Sequence, residues 1–258
     1  HVVQCTCQLV FVKPVPSRDA IEETYQDEYY DAWKVQDAAR RKIWTRRLQA
    51  LHQVARQPGR LLDVGCGEAT FLKLAQQAGW QVTGTELSEA AIRQAPELDL
   101  HRGEVWEARL PAETFDVVTS WHVIEHASDP KRMVTELFRV LRPGGWLVLA
   151  TPNLDDYVFR LGYFAGRGHW PTLYEDDERE LHLFHFSPRT LSALMYSVGF
   201  TDVQVGFDLG AAAVSSKRLV NQVAYGWYRL TGLNWGIGLE LMARKPVETR
   251  SLAQKFSG

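Results

Sequence analysis

The sequence predicts an α/β fold built on a mostly parallel sheet, and three observations predict it. From Arg60 onward, short apolar runs alternate with amphipathic ones, the texture of successive βα units. A glycine-rich turn, Asp63-Val64-Gly65-Cys66-Gly67, joins the first of those runs to the first amphipathic stretch. The chain has 258 residues, 45% hydrophobic and 23% charged, which is the texture of an ordinary globular protein large enough for a sizeable core.

The elements follow in order. Val2 to Val12 reads as a strand, broken by Pro14, Pro16 and Ser17. Arg18 to Val54 carries Ile21, Tyr25, Trp33, Ile43, Trp44, Leu48 and Leu51 at roughly helical spacing, which predicts an N-terminal helical cap. Pro58-Gly59 ends it, so residues 1–57 read as a strand with a helical cap and 58–258 as the main domain. There, Leu61 to Val64 is the first strand, and Ala69 to Ala78 is a helix closed by Gly79. Gln81 to Thr85 is the second strand, Ser88 caps a short helix to Gln94, and Leu98 to His101 is the third strand. Phe115 to Ser120 is the fourth. Asp129-Pro130 suits the cap and first position of a helix bearing Val134, Leu137, Val140 and Leu141. Pro143-Gly144-Gly145 turns into the strand Trp146 to Ala150, and Ser187-Pro188 opens a helix that Gly199 ends. Val203 to Phe207 and Ile237 to Ala243 supply two final strands. Between them and the fifth strand lies an irregular, aromatic-rich insertion, 152–186, of a length that loops reach mainly when functional or disordered.

Charge and cysteine content narrow the function. With 29 Lys+Arg against 31 Asp+Glu, the formal charge of -2 gives no electrostatic footprint for nucleic acid or an anionic membrane. The longest uncharged windows fall short of the roughly 20 apolar residues that span a bilayer, so no integral membrane span is expected. Three cysteines, one inside the glycine-rich turn, point to a reducing, cytoplasmic setting.

The turn itself suits a cofactor. Gly65 and Gly67 let bare backbone approach a ligand where N–H groups converge at a helix N-terminus. A dinucleotide fingerprint would place a third glycine where Thr70 stands, which argues against NAD. Glu86, at the end of the second strand, supplies a carboxylate able to accept both hydroxyls of a ribose.

Two blocks, "LLDVGCGEATFLKLAQQAGWQVTGTELSEAA" and "FDVVTSWHVIEHASDPKRMVTELFRVLRPGGWLVLATPN", make the chain resemble the class I S-adenosylmethionine-dependent methyltransferases, most of all the ubiquinone-biosynthesis-type small-molecule branch. The resemblance implies a Rossmann-like seven-stranded sheet of order 3-2-1-4-5-7-6, its last strand antiparallel, with helices on both faces. It also implies that Asp63, Gly65 and Gly67 hold the aminocarboxypropyl part of S-adenosylmethionine, Glu86 the ribose and Leu87 the adenine. Glu104-Val105 falls where the family contacts the adenine edge, with Glu in place of the usual Asp. Trp121 and His122 fall where it lines the sulfonium, although Trp121 reads equally as a core aromatic.

A base is needed only if the acceptor arrives protonated. His122 and His182 are the catalytic candidates, His126 reads as satisfying backbone groups, and His185 shares the His182 segment. These histidines lack a regular metal-ligand spacing, so no metal site is expected. The leader "CTCQLVFVKPVP" resembles the second half of a four-cysteine zinc site in some relatives, but Cys5 and Cys7 stand C-x-C without an upstream pair. They read instead as small buried residues on a strand.

Tyr25, Tyr29, Tyr30 and Trp33 suit either a lid over the crevice or plain helix packing. Glu175 to Glu180 is an acidic, solvated loop face. Lys217 to Leu230 places Leu219, Val223, Trp227 and Leu230 on one helical stripe, better suited to core or dimer packing than to a membrane surface or a lipid-like acceptor. The expected activity is methyl transfer from S-adenosylmethionine to an O, N or C atom of a small-molecule acceptor, with a homodimer compatible and nucleic acid disfavoured. The alternatives are a non-catalytic S-adenosylmethionine-binding regulatory module and, less favoured, a nucleic-acid methyltransferase.

Overall fold

A computed structural model of the chain describes residues 1–16, 37–173, 181–208, 210 and 218–247. The aromatics Tyr25, Tyr29, Tyr30 and Trp33 and the acidic run at 175–180 lie outside them.

A seven-stranded sheet organises the molecule. Its strands are β3 (Arg60–Val64), β4 (Gln81–Glu86), β5 (Asp99–Arg102), β6 (Phe115–Trp121), β7 (Leu141–Pro152), β9 (Thr201–Phe207) and β10 (Gly238–Arg244), in spatial order β5-β4-β3-β6-β7-β10-β9. Counted within the sheet, that is 3-2-1-4-5-7-6. The pairs from β5 to β7 are parallel, and β10 runs antiparallel to both β7 and β9.

Alternation along the central strands divides the apolar residues between two cores. Leu61, Val117, Val148 and Ala150 face Leu51, Phe71, Leu72 and Ala75 of helices α1 (Asp37–Leu51) and α2 (Thr70–Gln77). Leu62, Val118, Leu147 and Leu149 face Val134, Leu137, Leu191 and Met195 of helices α4 (Pro130–Val140) and α6 (Pro188–Val198). The helix starts behave as their sequences dictate. Ser88 accepts from the N–H of Ala91 ahead of α3 (Glu89–Ile92), and Asp129 accepts from Arg132 ahead of α4. Ser187 and Thr190 close a reciprocal capping box on α6.

Six local expectations are corrected. The stretch at 2–12 is a hairpin of β1 (Val2–Gln4) and β2 (Val10–Val12), because a polar turn with Gln8 at φ +73° interrupts it. Cys5 and Cys7 sit in that turn, exposed rather than buried. Leu141 opens β7 instead of closing α4. The turn at 143–145 becomes an irregularity inside β7, where Phe115 faces Leu141 but Val117 faces Trp146. The insertion also carries regular structure, namely α5 (Tyr157–Arg167), capped by Gly168 in the left-handed region, and β8 (Phe184–His185), which pairs with β2. Lastly, α7 (Arg218–Thr231) packs beside α5 and leaves Leu219, Val223, Trp227 and Leu230 exposed, so that stripe is not core. Among the described residues, no helix is long and apolar enough to cross a membrane.

Candidate active site

The carboxyl ends of β3, β4, β5 and β6 meet at one edge of the sheet, where ligands of open α/β sheets bind. Gly65 and Gly67 follow β3 with φ of +70° and +53°, a region that L side chains rarely adopt. A Cβ on Gly65 would stand 2.3 Å from Val123 Cγ2, so the loop lies against the turn that follows β6. The N–H groups of Gly65 and Cys66 both donate to the Thr85 carbonyl, at 2.8 and 3.0 Å, which fixes the loop to the end of β4.

Glu86 is 7% exposed at that end. Its Oε2 accepts from Gly67 N–H and its Oε1 from Ser88 N–H, each at 2.9 Å. The carboxylate is thereby locked in orientation, and half-buried Leu87 follows it. Asp63 is buried at the end of β3 and accepts the Thr119 hydroxyl at 2.7 Å. Burial raises its pKa to about 7, against the opposing Thr119 hydrogen bond and the Arg47 charge.

Half-buried Glu104 takes the Ser128 hydroxyl at 3.0 Å on Oε1, and the side chain of Val105 belongs to the core. Trp121 is also buried. It meets Phe71 edge-on at 5.6 Å, with the Arg47 guanidinium 4.5 Å from its ring and no hydrogen-bond partner for Nε1. Its core-aromatic side is therefore evident in the structure.

His122 sits just past β6 at φ +58°. Its Nε2 lies 3.0 Å from Asp208 Oδ2, and its Nδ1 lies 3.4 Å from Glu125 Oε1. Asp208, fully buried beyond β9, also meets Arg47 Nη2 at 3.4 Å and accepts Gly210 N–H at 2.7 Å. Burial presses His122 towards neutrality, but the hydrogen bond to Asp208 and the approach of Glu125 outweigh it and raise the pKa to about 9. Both ring nitrogens thus face carboxylates, and at neutral pH the ring is a cation. A general-base role for His122 meets that obstacle directly.

The other histidines gather on the far side of Glu125. His126 Nδ1 is 2.8 Å from the Leu181 carbonyl, a contact only an N–H can make, so the proton is assigned to Nδ1. Its ring lies 4.9 Å from that of His182, whose ring lies 6.4 Å from that of His185. Backbone ties hold the two segments together, since the N–H groups of Leu183 and Phe184 both donate to the Glu125 carbonyl, at 2.8 and 3.0 Å. Burial, followed by the neighbouring His182, lowers the pKa of His185 to about 4.

The structure therefore brings Asp63, Gly65, Gly67, Glu86, Trp121 and His122 to one edge and joins His182 to it through Glu125. The sequence reading did not single out Arg47, Glu125 or Asp208. Glu125 was within reach, because His122-x-x-Glu125-His126 places two ring-bearing neighbours within one turn. Arg47 and Asp208 gave no local signal, being 161 residues apart and brought together only by folding.

Comparison with known proteins agrees with this geometry. The profile of a family described as a methyltransferase domain matches residues 36–205. A probable S-adenosylmethionine-dependent methyltransferase of Mycolicibacterium smegmatis is 37% identical over 169 residues, which are 63% of this chain and 61% of that protein. A counterpart in Mycobacterium tuberculosis is 30% identical, over 62% of this chain and 56% of its own length. A ubiquinone biosynthesis O-methyltransferase of Bordetella avium is 34% identical over 112 residues, or 40% of this chain and 46% of that protein. The chain thus matches less than two thirds of the length of each of these relatives. Among solved structures, a SAM-dependent methyltransferase from Archaeoglobus fulgidus shares the fold at a TM-score of 0.56 and 20% identity, covering 83% of this chain and 99% of that one. A possible histamine N-methyltransferase from Thermotoga maritima does so at 0.58 and 18%, covering 84% and 97%.

Proposed function

Because the chain belongs to the methyltransferase-domain family of S-adenosylmethionine-dependent proteins, we propose that it transfers a methyl group from S-adenosylmethionine to a small-molecule acceptor. One observation carries the reading. A buried carboxylate, Glu86, is pinned by two backbone N–H groups beside a glycine loop held in the left-handed region, and that loop abuts the turn at 122–126 through Val123.

The residues present fit the cofactor. Asp63, Gly65 and Gly67 would hold its aminocarboxypropyl end, Glu86 its ribose hydroxyls, and Leu87 with Glu104 and Val105 its adenine, leaving Trp121 and His122 towards the sulfonium. When bound, S-adenosylmethionine supplies an electrophilic methyl group on a sulfur that leaves without protonation. The protein then has to align, enclose and, for a protonated acceptor, activate.

Enclosure falls to α1, whose Trp44 lies 5.9 Å from Phe71 and whose Arg47 covers Trp121. The His122 cation, locked between Asp208 and Glu125, orients the turn. Activation of the acceptor then falls to Glu125, His126 and His182. The ubiquinone O-methyltransferase relatives and the near-neutral charge support a small molecule over nucleic acid as acceptor. Three free thiols, at Cys5, Cys7 and Cys66, agree with a cytoplasmic setting.

Titration calorimetry with S-adenosylmethionine, S-adenosylhomocysteine and NAD tests the reading. Micromolar binding of the two sulfur nucleosides, no binding of NAD, and a loss of roughly 100-fold or more in Glu86→Ala are expected from two charge-assisted hydrogen bonds. Binding of NAD, or unchanged affinity in a folded Glu86→Ala, would overturn it.

A further inference from the structure

We propose that Glu125, His126 and His182 bind one divalent first-row transition-metal ion, which keeps an open coordination position for a hydroxyl oxygen of the acceptor. The identity of that oxygen rests on the methyltransferase reading above; the metal site does not.

The donor set is the first ground. One carboxylate oxygen and two imidazole nitrogens lie within 4.8 Å of one another. Ligands around such an ion stand about 3–4 Å apart, given metal–ligand distances of roughly 2.0–2.2 Å. Small side-chain rotations therefore close the set. Two histidines with one carboxylate suit zinc, iron or their neighbours and leave coordination positions open, as catalytic sites do.

Glu125 is the second, independent ground. It is 1% exposed, and its Oε1 has no hydrogen bond. The groups nearest that oxygen are His122 Nδ1 at 3.4 Å and His126 Nε2 at 3.9 Å. Its other oxygen, Oε2, is fixed by the Thr151 hydroxyl at 2.9 Å, which leaves Oε1 aimed at the histidines. The His122 cation approaches this buried oxygen from one side without closing a hydrogen bond, and a metal ion held with His126 would meet it from the other.

The third ground is orientation from outside the ligand set. With the Nδ1 proton of His126 donated to the Leu181 carbonyl, the Nε2 lone pair points towards Glu125 and His182, the arrangement that metal-binding histidines adopt. The segment bearing His182 is tied to the Glu125 carbonyl by Leu183 and Phe184 and to the leader by the β2–β8 pair. Two stretches about 57 residues apart are thus held in a fixed relation, which a ligand site requires and a chance pair of surface histidines lacks.

Val123 joins this site to the cofactor loop, since its Cγ2 occupies the space beside Gly65. A hydroxyl oxygen coordinated here loses its proton to solvent, because the cation lowers its pKa. The resulting oxyanion attacks the methyl carbon: the O–C bond forms, the C–S bond breaks, and the electron pair stays on sulfur as a neutral thioether.

The test uses the full, untagged chain after chelator treatment, titrated with Co2+ by visible absorption and with Zn2+ by equilibrium dialysis. The expected result is one ion per chain, retained in Cys5→Ser/Cys7→Ser and weakened at least 100-fold in both His126→Ala and His182→Ala. His182 is only half-buried, so its variant should fold even where Glu125→Gln does not. Lack of stoichiometric binding up to about 1 mM, or unchanged affinity in both histidine variants, overturns the site. S-adenosylmethionine binding is measured on the same samples. Binding of the nucleoside without the metal sinks this inference alone, whereas metal without nucleoside sustains the site and sinks the methyltransferase reading.

Discussion

Asp63 couples a buried titratable group to the proposed cofactor site. Its folded pKa of about 7 lies above its usual value of 3.8, so the folded chain binds the extra proton between those values. Its contribution to stability is therefore fully present below about pH 4 and lost as the pH rises to 7. Asp63→Asn keeps an acceptor for Thr119 and removes the cost of ionisation. It should raise unfolding free energy at pH 8 relative to pH 4 by on the order of 2–4 kcal/mol, read from urea denaturation at the two pH values. The aminocarboxypropyl end proposed for this place carries an ammonium, which favours ionised Asp63. Affinity for S-adenosylmethionine should accordingly climb through about pH 6–7 in the wild type and stay flat in Asp63→Asn. A flat wild-type profile would remove Asp63 from that role. His122 carries the opposite burden, because it is the cation between Asp208 and Glu125. Replacing it by Ala leaves two buried carboxylates short of a partner and should cost roughly 3–5 kcal/mol of stability, where loss of a mere base would cost rate alone. At this scale the sequence disclosed residues whose chemistry is local to a motif, such as Glu86 two residues before a capping Ser88. It withheld Arg47 and Asp208, whose meaning arises from a contact spanning most of the chain.

Among the elements, legibility followed local chemistry. The helices opened by Ser88, Asp129 and Ser187 announce themselves through capping residues, and α4 and α6 also bury a clear apolar face. α5 has two glycines, no capping hydrogen bond and no buried residue, so its sequence looks like loop. The stripe on α7 shows the reverse failure, since helical spacing revealed the helix but not which face meets the protein. The hairpin strand β2 has the largest consequence for the site, because Val10 and Phe11 pair with His185 and Phe184 while Val12 N–H donates to the Leu183 carbonyl at 2.9 Å. Val12→Pro removes that donor from a fully buried position. Hydrogen exchange should quicken across residues 181–186 and leave β6 and α4 protected. Turnover should fall at least tenfold with little change in S-adenosylmethionine affinity. A parallel loss of cofactor binding would show that the leader supports the whole crevice instead.

At the scale of the molecule, strand order was the most legible property and surface use the least. The alternation of βα units after Arg60, with two final strands, specifies a sheet whose sequence-adjacent strands pair except at the crossovers, and the observed order is the one the family resemblance implies. Exposed apolar residues on α5 and α7 follow from packing that periodicity does not encode. Two cores lie on opposite faces of the same sheet, with Leu61 in one and its neighbour Leu62 in the other. Neither can lose its packing without exposing the strands that support the other. Heat unfolding should therefore show a single transition by both near- and far-ultraviolet circular dichroism. The crevice is built from β4 together with β3 and β6, which both cores share, so a ligand held there opposes global unfolding. S-adenosylhomocysteine at 100 times its Kd should stabilise the fold by about 2.7 kcal/mol and raise Tm by roughly 5–10 °C. NAD should leave Tm unchanged, and Glu86→Ala should abolish the rise at the same concentration. Two separate transitions, or a rise that survives Glu86→Ala, would place the ligand away from the shared strands and detach the site from the core.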